Sequence, residues 1–259
     1  MAKSLDGGKT WTAVPYPTPF SNLVIDQNGT LFGGAGGVYT STDEGSSWSN
    51  LGGGNADALA VIRDGWLLTV SYNLMDCYRS TDKGQTWTKL SAAPGRGRKL
   101  LYDSKNTIVY LMAGAYMGGG TSLYSSRDNG ESWSNLCCLG QYAYPSSMAV
   151  DSTGRLWIVD RKNDGNNNNN NNVLSSPTFE SEGRISPFTF ALNVHDPATL
   201  LSGGDKGFRI SRDGGRTWTT NNSGMSDTWL DAIGILPGGT VLAGTGSGLI
   251  YRSKVPITK

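Results

Sequence analysis

The sequence predicts an all-β chain: a six-bladed β-propeller of four-stranded antiparallel blades, spanning residues 1–259 as one domain and closed by pairing of its N- and C-terminal strands. Three observations carry this expectation. The pattern Ser-x-Asp-x-Gly-x-[Thr/Ser]-Trp occurs five times, as SLDGGKTW, STDEGSSW, STDKGQTW, SRDNGESW and SRDGGRTW. Its aspartates, Asp6, Asp43, Asp82, Asp128 and Asp213, lie 37, 39, 46 and 85 residues apart, and the last interval is about two repeats. A period of roughly 40–45 residues with several short strands per unit is the spacing of propeller blades. Finally, 36 glycines and only 17% charged residues suit a turn-rich β protein.

The elements follow in chain order. SLDGGKTWTAV supplies a box and a fourth strand before any complete repeat. Residues 20–51 give one full unit. FSNLVID is an inner strand, QNG a turn, TLFGGA a second strand and GVYTS a third; the box makes the next turn and SWSNL the fourth strand. ADALAVIRDGWLLTVSYNLMDCYRSTDKGQTWTKL repeats that order, and a third unit runs from about Arg96 to Leu136. The fourth holds SSMAVDSTGRLWIVD but no recognisable box after NVLSS. The fifth spans about Pro187 to Asn221. The sixth, LDAIGILPGGTVLAGTGSGLIYRS, reaches a third strand, so the N-terminal box is expected to complete it and remove the open sheet edges.

Within each box the residue types suit a tight reversal between third and fourth strands. The short Asp side chain accepts backbone N–H groups two residues on, as in an Asx turn. The box glycines, Gly8, Gly45, Gly84, Gly130 and Gly215, supply a positive φ. Trp11, Trp48, Trp87, Trp133 and Trp218 fall on fourth strands and offer large apolar area. Five equivalent copies around one scaffold are a structural device, not five catalytic centres.

These repeats resemble Asp-boxes, or BNR repeats, which occur in sialidases, xyloglucan-cleaving glycoside hydrolases, photosystem II assembly factors and sortilin-type receptors. The resemblance covers nearly the whole chain and implies the propeller scaffold, on which many chemistries are carried. It also implies an extracellular, periplasmic, virion or cell-surface setting, including a place in a larger surface or tail assembly. The start of the chain has no apolar segment of the signal-peptide type. A sialidase activity is disfavoured. That family's Phe/Tyr-Arg-Ile-Pro motif is missing, FRIS at 208–211 runs straight into a box, and the first arginine is Arg63. Outside the boxes the only glutamates are Glu180 and Glu182.

The boxes lie on one face, with the turns between first and second strands. Ligand-binding residues are therefore expected on the opposite face, in loops between second and third strands and between blades. Those loops carry Tyr16, Tyr72, Tyr116, Tyr142, Tyr144 and Trp229, together with Asp76, Arg96, Arg98, Asp160, Arg161 and Asp227. Aromatic rings stack on apolar sugar faces while charged groups fix hydroxyls, so a glycan or protein ligand is expected. Asp57 and Asp231 each stand eight residues before a turn glycine, at the start of an inner strand. As strand-entry caps they are structural. As a pair in a central funnel they are the catalytic candidates of a second reading, a glycoside hydrolase.

Other features narrow the classes. A formal net charge of +1, from 22 basic and 21 acidic residues, gives no field for nucleic acid. No apolar run is long enough for membrane insertion. Cys77, Cys137 and Cys138 have no metal-type spacing, and neither a metal nor another cofactor is expected. His195, the single histidine, falls in the turn NVHDPATL on the box face. Asn166 to Asn172 reads as a mobile low-complexity loop. Asn28-Gly29-Thr30 and Asn221-Asn222-Ser223 fit the glycosylation pattern. The reading is a non-catalytic binding or scaffold module.

Overall fold

The computed structural model describes residues 1–114, 120–138, 147–162, 170–185 and 189–257. Among these the regular structure is 25 strands and one 3-10 turn at Arg63–Gly65. The strands form seven antiparallel sheets, each a simple meander of consecutive strands. An N-terminal hairpin pairs β1 (Ala2–Lys3) with β2 (Thr12–Ala13). The first four-stranded sheet follows: β3 (Asn22–Ile25), β4 (Leu31–Gly34), β5 (Val38–Ser41) and β6 (Ser49–Gly52). The second holds β7 (Ala58–Val61), β8 (Leu67–Val70), β9 (Cys77–Ser80) and β10 (Thr88–Lys89). The third holds β11 (Arg96–Asp103), β12 (Ile108–Gly114), β13 (Thr121–Ser126) and β14 (Ser134–Cys138).

A fourth sheet is built from β15 (Ser147–Val150), β16 (Leu156–Lys162), β17 (Asn170–Ser175) and β18 (Glu180–Ile185). β19 (Thr189–Val194), β20 (Leu200–Gly204), β21 (Arg209–Ser211) and β22 (Thr219–Thr220) form the fifth. The last sheet has three strands, β23 (Leu230–Ile235), β24 (Val241–Thr245) and β25 (Ile250–Arg252). The chain divides into two compact units. One comprises Met1–Leu5 and Thr10–Cys138, the other Asp6–Lys9 and Leu139–Lys259.

In the first unit, apolar side chains of β7, β8, β11 and β12 interlock. Ala58, Ala60, Leu68, Val70, Leu100, Val109, Leu111 and Ala113 form one buried cluster, with Trp133 packed on its side. Phe32, Val38, Leu59 and Leu67 form a second cluster, against which Trp87 lies. β12 is buried along its whole length, which explains its unbroken apolar run IVYLMAG: both of its faces meet neighbours. In the second unit the equivalent cluster is Trp157, Val159, Val173, Ile185, Leu192 and Leu200, with Trp218 against it. Each box tryptophan sits one residue before the fourth strand, not on it, and Trp87, Trp133 and Trp218 pack against the buried clusters. Trp11 is 40% exposed.

The box turns are held more tightly than the sequence suggests. In the first sheet the Ser41 hydroxyl donates to Asp43 Oδ1 (2.8 Å) and accepts from Gly45 N (2.8 Å). Asp43 also accepts Ser47 N (2.8 Å) and Ser47 Oγ (2.6 Å). The same four bonds recur around Asp82, Asp128 and Asp213. The carboxylate thus reaches the amide four residues on, a longer reach than an Asx turn. These donors favour the charged form and hold Asp43, Asp82 and Asp213 down at about 2, with the Ser47, Thr86 and Thr217 hydroxyls the first cause. The residue before each box glycine is also left-handed, with φ of 59° at Glu44, Lys83 and Asn129.

The expected closure is corrected. β1 and β2 pair with each other, and the last sheet runs β23-β24-β25 with no N-terminal strand among the described residues. The physical reason is that a box turn joins two strands of one hairpin, so the first box requires its own third strand, which Ala2 and Lys3 provide. The hairpin tip still belongs with the last sheet. Arg252 Nε donates to Gly7 O (2.8 Å), and a Cβ on Gly8 would lie 2.7 Å from Leu242. Arg79 makes the matching bond to Asn129 O (3.2 Å), the residue before the glycine of the third sheet's box. The tip of the N-terminal hairpin therefore packs as the box of a following sheet.

A second correction concerns the asparagine run. Asn170, Asn171 and Asn172 are strand residues of β17, paired with Lys162, Arg161 and Asp160. Residues 166–169 lie outside the described residues.

Candidate functional site

The strand ends opposite the box turns bring several of the expected residues together in the first unit. β8 ends at Val70, and the connection to β9 carries Tyr72. Asp57, just before β7, accepts the Tyr72 backbone N–H at Oδ2 (2.7 Å). Its backbone carbonyl accepts Asn22 Nδ2 (2.9 Å). Asp57 thus ties the entry of β7 to the exit of β8, the work of a strand-entry cap. Its carboxylate orients the loop from which the Tyr72 ring projects.

Two arginines from β11 meet that ring. The Arg96 guanidinium carbon lies 5.4 Å from the ring centroid and that of Arg98 5.2 Å. Arg98 Nη2 also approaches the Tyr72 hydroxyl at 3.4 Å. The pairing of β11 with β12 shifts between Gly97 and Lys99, so Arg98 is the extra residue of a bulge. Bulges re-aim side chains, and this one turns Arg98 toward the loop. Gly97 allows the approach: a Cβ there would lie 2.4 Å from Val70 Cγ1. Arg96 is half-buried and Arg98 exposed. Next in the strand, burial holds the Lys99 ammonium below its usual pKa. The result is an aromatic ring flanked by two guanidinium groups, on a loop whose backbone amide is held by the Asp57 carboxylate.

The second unit has a separate cluster before β23. Asp227 accepts Ser247 Oγ (2.5 Å) and Trp229 N (2.9 Å), which lower its carboxyl from the ordinary value. The Tyr251 hydroxyl accepts Ser226 N (3.0 Å) and Asp227 N (2.8 Å). Trp229 is 48% exposed on this scaffold. Asp231 is exposed beside it, and a Cβ on Gly246 would come within 2.8 Å of Asp231 Oδ2. Asp57 and Asp231 belong to different units.

The other expected residues are placed as follows. Asp76 forms an ion pair with Lys89 (2.7 Å). Tyr16 is exposed and lines a hollow of about 330 Å³ with Met1, Phe20 and Leu23. Asp160 and Arg161 are residues of β16, their side chains outside the described set. Tyr116, Tyr142 and Tyr144 also lie outside the described residues. His195 sits in the turn between β19 and β20, its amide bonded to Thr199 O (3.0 Å). Among the described residues no three His, Cys, Asp or Glu side chains converge as metal ligands. Among the described residues no helix is long and apolar enough to cross a membrane. Burial pushes the free thiol of Cys77 up to about 12, which leaves it unreactive.

Sequence reasoning missed a second family of aspartate turns. Asp26, Asp103, Asp151 and Asp196 each cap the turn between first and second strands by accepting backbone amides. Asp151 also accepts the buried Trp157 indole N–H (2.9 Å). The recurring Asp at the end of four of the inner strands, as in VIDQNG and VDSTG, was the available signal.

Comparison with known proteins agrees with this architecture. A family model for the BNR/Asp-box repeat matches residues 209–220. Among curated proteins none matches the sequence. Among solved structures, YCF48 bound to D1 peptide superposes with a TM-score of 0.73 at 18% identity, over 100% of this chain and 86% of the other. The GH74 xyloglucanase from Xanthomonas campestris gives 0.69 at 21% identity, over 91% of this chain and 45% of the enzyme, so this chain spans under half of that protein. Virginiamycin B lyase from Staphylococcus aureus gives 0.60 at 12% identity, over 91% and 84%. All three are β-propellers. The chain carries a BNR/Asp-box repeat and has the β-propeller fold.

Proposed function

We propose that this chain is a non-catalytic binding module whose Tyr72–Arg96–Arg98 shelf recognises an acidic segment of a protein partner. One observation carries the reading: two guanidinium groups are fixed within 5.4 Å of one half-buried tyrosine ring. A carboxylate meets a bidentate donor there, and an adjacent apolar side chain meets the ring. The solved propeller YCF48 is bound to a peptide, which supports a protein ligand for this scaffold. In this reading the six sheets of three or four strands are the blades, and the N-terminal hairpin is an additional half-blade. The module works outside the cytoplasm or on a virion or cell surface, within a larger assembly.

The test is a peptide array of varied charge, followed by titration of the best binder. Arg96→Ala and Arg98→Ala should each weaken binding of an acidic peptide by about tenfold or more, with a strong salt dependence in the parent protein. Equal binding by the double variant sinks the shelf.

A second reading rests on Trp229, 48% exposed beside Asp231. Such a ring with a neighbouring carboxylate suits a sugar, either as a glycan-binding platform or as part of a glycoside hydrolase in which Asp231 serves as a catalytic carboxylate. A hydrolysis screen on β-glucans and sialosides, repeated with Asp231→Asn, separates the two: turnover lost in the variant with folding intact favours the enzyme.

A further inference from the structure

The last sheet lacks what every other complete sheet has. β25 pairs only with β24, and among the described residues no strand lies along its outer edge. The residues after β25 explain why. In IYRSKVPI, Val255 stands where a box has its aspartate and Ile257 where it has its glycine. Instead of reversing, the chain runs on past the start of β24, with Ser253 N bonded to Val241 O (2.9 Å) and Ile257 N to Gly239 O (2.8 Å) in the turn that precedes it. Leu249, Ile250 and Val255 are left 44%, 41% and 72% exposed.

The second sheet shows a tryptophan in the corresponding place. There Trp87 precedes the fourth strand, its indole N–H donates to Leu51 O (2.8 Å), and its ring lies against Gly53. Gly54, next in the chain, lies against Tyr78 of β9. Leu51, Gly53 and Gly54 follow the preceding box tryptophan, Trp48, by three, five and six residues. Counted the same way from Trp218, the residues are Asn221, Ser223 and Gly224. Tyr251, in YRS, takes the place of Tyr78, also in YRS. Asn221, Ser223, Gly224 and Tyr251 line one groove of about 380 Å³, together with Phe208 and Met225. The groove is the seat of a fourth-strand tryptophan, without the tryptophan.

We propose that this edge and groove bind an extended segment of a partner protein that carries a tryptophan. The segment adds antiparallel to β25 as a fourth strand, and its indole enters the groove and donates to Asn221 O. Register follows from β9 and β10, where Arg79 faces Thr88 and Tyr78 faces Lys89. The first residue after the partner's tryptophan faces Arg252 and the second faces Tyr251. Main-chain bonds give such strand addition its affinity, and the side-chain seat gives its specificity. A second copy of the chain is the poorer occupant, because each of its box tryptophans precedes a strand already paired within its own sheet. The site is separate from the Tyr72 shelf and stands whether or not that shelf binds a peptide.

The test uses a labelled synthetic peptide, DGGRTWTTNN, which copies this chain's own fourth-strand segment. Anisotropy titration of the 259-residue protein should give saturable binding, with hydrogen-exchange protection appearing at residues 250–252. Replacing the peptide's tryptophan by alanine, or N-methylating the two residues after it, should each weaken binding at least tenfold. On the protein, Ser223→Trp at an exposed position should fill the seat and abolish binding while leaving the Tyr72 shelf unchanged. Undiminished binding of the N-methylated peptide would mean an indole pocket without strand addition and would overturn the proposal. So would failure to bind, whether the protein is monomeric or is dimeric by light scattering with the edge already protected.

Discussion

Two hairpins occupy the same place in the second and fourth sheets and are held in opposite ways. Between β9 and β10, Asp82 gathers Ser80 Oγ, Thr86 N and Thr86 Oγ1, while Gly84 supplies a φ of 91°. Between β17 and β18 there is no aspartate and no glycine. Ser175 stands where Ser80 does, but its hydroxyl accepts the Arg155 guanidinium instead of serving a carboxylate. Arg155 Nε also donates to Ser176 O (3.2 Å), and the guanidinium lies 4.5 Å from the Trp157 ring centroid. Phe179 takes the left-handed residue, with a φ of 55°. The lesson is that the reversal is obligatory and the box is one way of making it. In the fourth sheet a cation from the neighbouring turn replaces an anion within the turn. A carboxylate that can be exchanged for an arginine elsewhere in the same scaffold is structural, which answers why the aspartate recurs.

The comparison breaks most readily at Asp151. It is buried, and it holds both the Trp157 indole and the amides of the turn that presents Arg155. Asp151→Ala should cost about 3 kcal/mol in chemical denaturation, because several donors are left unpaired. A loss under 1 kcal/mol would mean that the boxless hairpin stands without its neighbour. Next in size is the left-handed glycine. Gly84→Ala sets a Cβ 2.5 Å from Leu51 at a φ of 91° and should cost about 2 kcal/mol, whereas Phe179→Gly should change stability by less than about 1 kcal/mol. Equal losses would show that both turns are locked alike.

The smallest effect is read from pH. The carboxyls of Asp43, Asp82 and Asp213 are depressed to about 2 in the folded chain, so their contribution is present above the unfolded value of 3.8 and fades as the pH falls toward 2. Melting temperature measured from pH 5 to pH 2 should drop in that window, and Asp82→Asn should flatten part of the drop while lowering the plateau. An unchanged slope in the variant would remove the box from the acid response.

The boxes and their period were legible because they combine rare residues at fixed offsets. Ser, Asp, Gly and Trp survive together only where one turn needs all four. The N-terminal hairpin was not legible, since β1 is two residues long and carries no alternation. The left-handed Glu44, Lys83 and Asn129 have no compositional mark, because the strain is borne by the turn's hydrogen bonds. At the candidate site the residue types were foreseen but their grouping was not. Tyr72 meets Arg96 and Arg98 across two different sheets, and the bulge at Arg98 depends on pairing with β12. Asp76 was drawn from the same loop as Tyr72, yet it faces Lys89. A loop's sequence does not say which of its side chains points to which strand end.

The meander connectivity has a consequence for how the chain reaches this state. Every sheet is made of strands adjacent in sequence, so its hairpins close over short loops and lose little chain entropy. Contacts between sheets, such as those of β11 with β7 and β8, span only one repeat. Contact order within the repeats is therefore low for an all-β protein. Formation can begin at whichever repeat closes first and spread to its neighbours. Joining residues at opposite ends of the chain carries the larger loop-closure cost, and the bond from Arg252 to Gly7, 245 residues apart, is of that kind.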